Sequence, residues 1–214
     1  MEVVTTFVDI VLHLDRHLAW LVANYGAWIY VILFTIVFCE TGLVVTPFLP
    51  GDSLLFVAGT LAAAGNMYVH GLFATLACAS FLGDNTNYWI GRYLGPRVFT
   101  REGSRFLNPA HLARTQSFYD RFGPITIFFA RCMPIVRTFA PFVAGIGRMR
   151  YRYFASYNVS GALAWVLSFL VAGYFFGQLP AVKRNFQFVI LGIIVVSLIP
   201  VVTEFVKARR QAAA

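Results

Sequence analysis

Residues 128–145 read FFARCMPIVRTFAPFVAG, an apolar stretch that contains two arginines, Arg131 and Arg137, and two prolines, Pro134 and Pro141. A bare charge at the centre of a bilayer costs at least about 2.5–3.5 kcal/mol on insertion scales, so each arginine needs a partner, water or a ligand. Proline removes a backbone donor and breaks the helical hydrogen-bond ladder. The stretch is therefore predicted to be broken or re-entrant and to line a cavity, where irregular backbone is tolerated inside a membrane.

Residues 47–59, PFLPGDSLLFVAG, have the same character with acidic instead of basic residues. Asp52 lies within this second stretch, Glu40 lies shortly before it, and Pro47 and Pro50 are predicted to break the helix. The two acids and the two arginines form the predicted functional site. Structural ion pairing between acids and arginines is the alternative, because buried ion pairs can fix topology without a part in transport.

The composition is typical of an integral membrane protein. Of 214 residues, 59% are apolar and only 12% are charged, which leaves too little polar surface for a soluble domain of this size. The net charge of +8 comes from cations in the loops between apolar segments, which indicates membrane topology signals and not nucleic-acid binding. The three cysteines lie in apolar runs without metal-ligand spacing, so neither a metal nor a cofactor is expected.

Four apolar segments are long enough to be predicted transmembrane helices, since about 20 apolar residues cross the hydrocarbon core. They are residues 26–46, 68–94, 153–177 and 186–206. Residues 1–25 contain charges within an apolar run and are predicted to form an amphipathic helix on the membrane surface. The predicted domains are this helix, a transmembrane domain over residues 26–206 and a cytoplasmic tail over residues 207–214.

The distribution of arginine and lysine predicts the orientation in the membrane. The basic loop over residues 96–122 is placed in the cytoplasm, and both termini follow it there. The first broken segment then opens from the outer face and the second from the cytoplasmic face. Lys183 and Arg184 are the exceptions, because they fall on the predicted outer side.

The two broken segments begin two similar halves of the chain. Residues 57–59 and residues 143–145 both read VAG, and each is followed by a helix with two small residues spaced for close packing. These packing glycines are Gly91 and Gly95 in the first half and Gly173 and Gly177 in the second. The predicted fold is an all-α integral membrane protein with about four transmembrane helices and two opposed re-entrant hairpins that form an inverted repeat.

Several segments resemble the DedA family of bacterial inner-membrane proteins, over nearly the entire chain. They are Glu40 with FLPGDSLL, GDNTNYWIGRYLG, FARCMPIVRTFAPFVAG and NVSGALAWVLSFLVAGYFFG. The resemblance implies a VTT-type fold with two facing re-entrant loops and a role in transbilayer lipid movement, notably the return of undecaprenyl phosphate. It also implies dependence on the proton motive force and links to cell division, envelope integrity and cationic peptide resistance. The family's acidic and arginine positions map onto Glu40, Asp52, Arg131 and Arg137.

The chemistry of these residues suits an anionic lipid. Arginine presents a rigid charged fork that binds phosphate at two points, so Arg131 and Arg137 are predicted to bind the substrate phosphate. Glu40 and Asp52 are predicted to couple protons, because a protonated carboxyl leaves an arginine available and an ionised one competes for it. Asp84, Asn85 and Asn87 are predicted either to line the pathway or to form interhelical hydrogen bonds.

Three functions remain open: a proton-coupled lipid flippase, a proton-driven exporter or exchanger of small solutes, and a non-transporting envelope scaffold. No Ser/His pairing, metal-ligand set or paired-His motif accompanies the broken segments, so the chain is not expected to be an enzyme. The expected partners are membrane lipids, polyprenyl phosphate or a phospholipid, and protons. Self-association into a homo-oligomer is compatible with the sequence.

Overall fold

A computed structural model describes residues 14–43, 51–98, 123, 125–131 and 134–196 of the chain, and its elements there are all helical. The helices are α1 (Leu14–Tyr25), α2 (Trp28–Gly42), α3 (Gly51–Ala63), α4 (Val69–Val98), α5 (Ile125–Ala130), α6 (Pro134–Ile146), α7 (Tyr151–Phe176), α8 (Pro180–Arg184) and α9 (Phe186–Val196). The predicted N-terminal helix is described from Leu14 onward, and residues 1–13 lie outside the described part. Most of the basic loop, at residues 99–122, and the chain from residue 197 onward also lie outside it.

Helix α7 has the length and composition of a membrane span. Its 26 residues extend about 39 Å, more than the roughly 30 Å of a hydrocarbon core, and its mean hydropathy reaches 1.8. Within the described ranges it is the one helix both long and apolar enough to cross a membrane. Shorter apolar helices occur at Trp28–Gly42, Gly51–Ala63, Val136–Ile146 and Phe186–Val196.

Helix α2 falls within the span predicted over residues 26–46, of which residues 44–46 lie outside the described part. It has 15 residues and extends about 22 Å, which is short of the hydrocarbon thickness. The hydroxyl of Tyr30, near its start, accepts a hydrogen bond from the backbone N–H of Tyr68 at 2.9 Å. The start of α2 therefore lies at the same end as the loop that follows α3.

The second charged stretch forms two helices, because α5 ends at Ala130 and α6 begins at Pro134. Proline is well tolerated at a first helical position, where its missing donor has no intrahelical acceptor. The expectation that Pro141 breaks the helix is wrong, since α6 continues through it to Ile146. Membrane helices tolerate an internal proline where neighbouring groups serve the freed backbone. Pro47 and Pro50 lie outside the described residues.

The chain divides into two compact units. Unit 1 comprises residues 1–36, 48–78 and 164–214, and unit 2 comprises residues 37–47 and 79–163. Helices α2, α4 and α7 each contribute one part to each unit.

In unit 1, glycines allow α3 and α7 to pack with their backbones in close approach. A β-carbon on Gly59 would collide with the carbonyl oxygen of Leu170, and one on Gly173 would collide with the carbonyl oxygen of Phe56. The hydroxyl of Thr60 also donates to the carbonyl oxygen of Gly173 at 3.2 Å. Only glycine permits this separation at the two positions.

Unit 2 contains the same contact between α4 and α6. A β-carbon on Gly145 would collide with the carbonyl oxygen of Tyr88, and one on Gly91 would collide with that of Phe142. Each unit thus pairs a short helix with a long one by reciprocal glycines. The short helix comes first along the chain in unit 1 and second in unit 2, so α3 packs on α7 and α6 packs on α4.

Gly177 and Gly95, the other two predicted packing residues, have different outcomes. A β-carbon on Gly177 would collide with the hydroxyl oxygen of Thr60, so Gly177 extends the α3–α7 contact of unit 1. The surroundings of Gly95 lie outside the described part of the structure.

Candidate functional site

Arg131, directly after α5, is the centre of a buried polar cluster in unit 2. Its guanidinium forms an ion pair with Asp84 of α4, and both side chains are almost fully buried, at 6% and 5% exposed. It also donates to the hydroxyl oxygen of Ser80 at 2.7 Å and to the side-chain oxygen of Asn158 at 2.5 Å. One arginine therefore links the end of α5 to both α4 and α7.

Two residues of α7 shape the space around this arginine. The side-chain amide of Asn158 donates to the carbonyl oxygen of Phe81 at 3.3 Å, which ties α7 directly to α4. A β-carbon on Gly161 would lie 2.9 Å from the Cδ and Nε atoms of Arg131, closer than such contacts normally come. Glycine at this position leaves room for the arginine stem.

Arg137 of α6 forms the second ion pair, with Glu40 near the end of α2. The two side chains are 6% and 2% exposed. Removing such charges from water costs several kcal/mol per ion unless each has an opposite charge and good hydrogen bonds. The pairing explains why two ionised groups can occupy this apolar part of the chain.

Asn87 of α4 holds the backbone on both sides of this second pair. Its amide nitrogen donates to the carbonyl oxygen of Thr138 at 2.5 Å and to that of Thr41 at 3.4 Å. Thr41 directly follows Glu40, and Thr138 directly follows Arg137. Asn87 is fully buried and so fixes α2 and α6 at the positions from which the two charges project.

The four charges of the two ion pairs form one electrostatic group, because Asp84 interacts with Arg137 as well as with Arg131. Two arginines and two carboxylates give the group no net charge when all are ionised. An anion that binds either arginine must therefore displace a carboxylate, unless that carboxylate takes up a proton. Within the described residues, no three His, Cys, Asp or Glu side chains come together to hold a metal ion.

Asp52, the remaining predicted site residue, belongs to unit 1. It lies in the first turn of α3 and accepts a hydrogen bond from the indole Nε1 of Trp165 at 2.8 Å. An acid in the first turn is favoured by the helix dipole. The structure thus brings Glu40, Arg131 and Arg137 into one unit and places Asp52 in the other.

The glycine contacts give Asp52 an equivalent position in unit 2. Phe56 and Phe142 match, because each offers its carbonyl oxygen to a glycine of the long helix. Four residues before them lie Asp52 and Thr138, and Thr138 is adjacent to Arg137. The first turn of α3 therefore carries an acid, Asp52, and the first turn of α6 carries a cation, Arg137, one residue before the position equivalent to Asp52.

Of the three residues predicted either to line a pathway or to bond between helices, two form interhelical bonds: Asp84 with Arg131, and Asn87 with α2 and α6. Asn85 is half-buried, and no group in the described chain donates a hydrogen bond to its side-chain oxygen. Sequence reasoning missed Ser80 and Asn158. Asn158 could have been recognised as an amide side chain inside the apolar run of α7, because polar side chains in such runs commonly form hydrogen bonds to another helix.

Comparisons with known proteins find a matching family and full-length relatives. The VTT domain family matches residues 49–175, which contain most of the residues described above. Protein DedA of Escherichia coli K12 is 54% identical over 215 residues, which cover 100% of this chain and 98% of that protein. The uncharacterized membrane protein Rv0364 of Mycobacterium tuberculosis H37Rv is 42% identical, covering 90% of this chain and 88% of its own.

A third relative, the inner membrane protein YghB of Escherichia coli K12, is 35% identical over 73% of this chain and 72% of its own. No solved structure matches the chain. The names of the relatives support a location in the inner membrane. Family match and full-length identity together show that the chain belongs to the DedA family of VTT-domain membrane proteins.

Proposed function

We propose that this protein moves an anionic lipid, undecaprenyl phosphate or a related phospholipid, across the inner membrane in exchange for protons, and that it does not chemically transform the lipid. The observation that carries the proposal is the pair of arginine–carboxylate bridges buried together in unit 2. Guanidinium groups bind phosphate in the same two-point geometry in which they bind carboxylate. Each bridge is thus a phosphate site occupied by an internal anion.

In the proposed cycle, protonation of Glu40 releases the guanidinium of Arg137 for the lipid phosphate. Loss of that proton restores the carboxylate, which then competes with the phosphate and displaces it. Asp84 and Arg131 form a second pair of the same kind in the same electrostatic group. An inward proton gradient would drive the cycle in one direction, which accounts for the dependence on the proton motive force that the family resemblance implies.

We also propose that α2 with α3, and α5 with α6, are two re-entrant hairpins. The hydrogen bond between Tyr68 and Tyr30 supports the first of them, because it joins the start of α2 to the loop after α3. The interruption between Ala130 and Pro134 supports the second. The inverted relation between the halves stays a prediction, as does the cytoplasmic location of both termini.

Reconstitution tests this function directly. Purified protein is placed in liposomes that contain a polyprenyl phosphate whose leaflet can be assayed, with and without a pH gradient. We expect lipid movement that the gradient accelerates. Movement of a small solute without movement of lipid would instead support an exchanger, and an inert protein that still complements a deletion strain would support an envelope scaffold.

Conservative variants separate proton coupling from structural pairing in the same liposomes. Glu40→Gln should abolish the response to the gradient, whereas Glu40→Asp, which keeps an ionisable group, should retain part of it. Asp52→Asn and Asp52→Glu form the corresponding pair for unit 1. A full response in both amide variants would leave the two acids as structural groups only.

Arg137→Lys separates phosphate recognition from charge pairing. Lysine keeps the charge but loses the planar fork, so affinity for polyprenyl phosphate should fall while the protein still folds. Arg131→Lys provides the same test at the other bridge. Unchanged affinity in both variants would contradict two-point recognition of phosphate.

A further inference from the structure

A cleft of about 350 Å³ in unit 1 has an apolar floor and a cationic rim. Val57 and Leu61 of α3 and Phe186 of α9 line its floor, and Arg16 of α1 and Lys183 of α8 lie at its rim. A volume of this size falls within the range of small-molecule sites. The cleft is separate from the bridges of Arg131 and Arg137, since those belong to unit 2.

A second cavity, of about 280 Å³, continues from the first. It shares Arg16, Lys183 and Phe186 with the larger cleft and adds Arg184. The three cations are exposed, and no carboxylate is among the described residues that line either cavity. Three positive charges around one opening attract an anion.

The basic residues of this rim come from two distant parts of the chain. Arg16 lies in α1, and Lys183 and Arg184 lie at the end of α8, so cations far apart in sequence meet at one opening. A ligand with a negative group accounts for their presence. The apolar floor requires that the same ligand also has an apolar part.

We propose that this cleft binds an anionic phospholipid from the adjacent leaflet, with the phosphate between Arg16 and Lys183 and the start of an acyl chain against Leu61 and Phe186. The bound lipid is a resident one and differs from the transported substrate, because none of the residues that hold it belongs to the bridges. Attraction between the rim cations and the head-group phosphate gives the site its affinity for anionic lipid. Contact with the apolar floor distinguishes a lipid from free phosphate.

Binding of phosphatidylglycerol to the purified full-length protein in a zwitterionic detergent tests the rim. The double variant Arg16→Gln with Lys183→Gln should bind phosphatidylglycerol about tenfold or more weakly than wild type, since each cation near a lipid head group contributes measurably. The matched control is Arg150→Gln with Arg152→Gln, which removes two exposed cations of unit 2 and should bind like wild type. Equal binding by the two double variants would overturn the proposal.

A second variant tests the cleft while keeping every charge. Ala64 lines the cleft and is exposed, so Ala64→Phe should fill the space without disturbing the core. We expect it to weaken binding of phosphatidylglycerol, with an unchanged thermal midpoint. Wild-type binding by this variant would show that the cleft is not the site. Inorganic phosphate that competes as strongly as phosphatidylglycerol would refute the assignment to a lipid.

Discussion

Removal of Asp84 alone should destabilise the protein more than removal of Asp84 and Arg131 together. In Asp84→Leu, the guanidinium of Arg131 stays buried, at 6% exposed, without its opposite charge. Breaking a buried pair in this way typically costs about 3–5 kcal/mol. Ser80 and Asn158 still accept hydrogen bonds from the arginine, so we expect a loss near the lower value, about 3 kcal/mol.

The double variant Asp84→Leu with Arg131→Met replaces both charges by apolar groups of similar length. Such replacements are often neutral or stabilising, so the remaining cost is the lost donor to Ser80 and Asn158, and the double variant should lie about 1–2 kcal/mol below wild type. For a chain of this size, 1 kcal/mol corresponds to about 2–4 °C in the unfolding midpoint, so the single variant should unfold about 6–12 °C earlier. Arg152→Met, which removes an exposed cation, is the control and should leave the midpoint unchanged.

Thermal unfolding in detergent, followed by loss of the monodisperse peak in size-exclusion chromatography, measures these differences. A double variant as unstable as the single one would refute the reasoning, because the uncompensated charge would then not be the cause. Lipid movement by the stable double variant provides the second readout. Wild-type movement would show that Arg131 supports the fold and does not bind phosphate.

Three further predictions concern helix packing and topology. Gly145→Ala should lower the free energy of unfolding by about 1–3 kcal/mol through overpacking, whereas Gly192→Ala, with no described atom within 4 Å of its added carbon, should be tolerated. Equal thermal unfolding midpoints for the two variants would contradict the close α4–α6 contact. Asn87→Leu should cost about 1–3 kcal/mol and reduce lipid movement, because two buried carbonyl groups lose their donor; wild-type behaviour in both assays would remove its positioning role. In a cysteine-free background, Ala27→Cys and Asn66→Cys should react with an impermeant reagent from the same side of the membrane. Labelling from opposite sides would instead indicate that α2 crosses the membrane.

The sequence predicted the charged positions well because charge in an apolar run is a local signal. Glu40, Arg131 and Arg137 could be singled out without any knowledge of the fold, since each needs compensation wherever it lies in a membrane. The glycine pattern was likewise readable, because small residues at helical spacing allow close packing whatever the partner. The structure places Gly91 and Gly173 in equivalent contacts.

The partners of these residues could not be predicted, because they are distant along the chain. Asp84 is separated from Arg131 by 47 residues and Glu40 from Arg137 by 97, and no local pattern specifies such pairings. The hydrogen bond between Tyr68 and the start of α2 was missed for a related reason. The apolar content of residues 26–46 measures their compatibility with lipid. It does not reveal a contact with a distant residue, such as the hydrogen bond between Tyr30 and Tyr68.

The reciprocal glycine contacts have a consequence for biogenesis and ancestry. Thr60 of α3 meets Gly173 of α7 only after a further 113 residues have been made, which takes roughly 6–23 s at about 5–20 residues per second. During that interval the glycine face of α3 lacks its partner and must be shielded by lipid or by the insertion machinery. Neither the pair α3–α4 nor the pair α6–α7 can complete such a contact by itself, so an ancestor made of one such pair would have needed a second copy of its own chain.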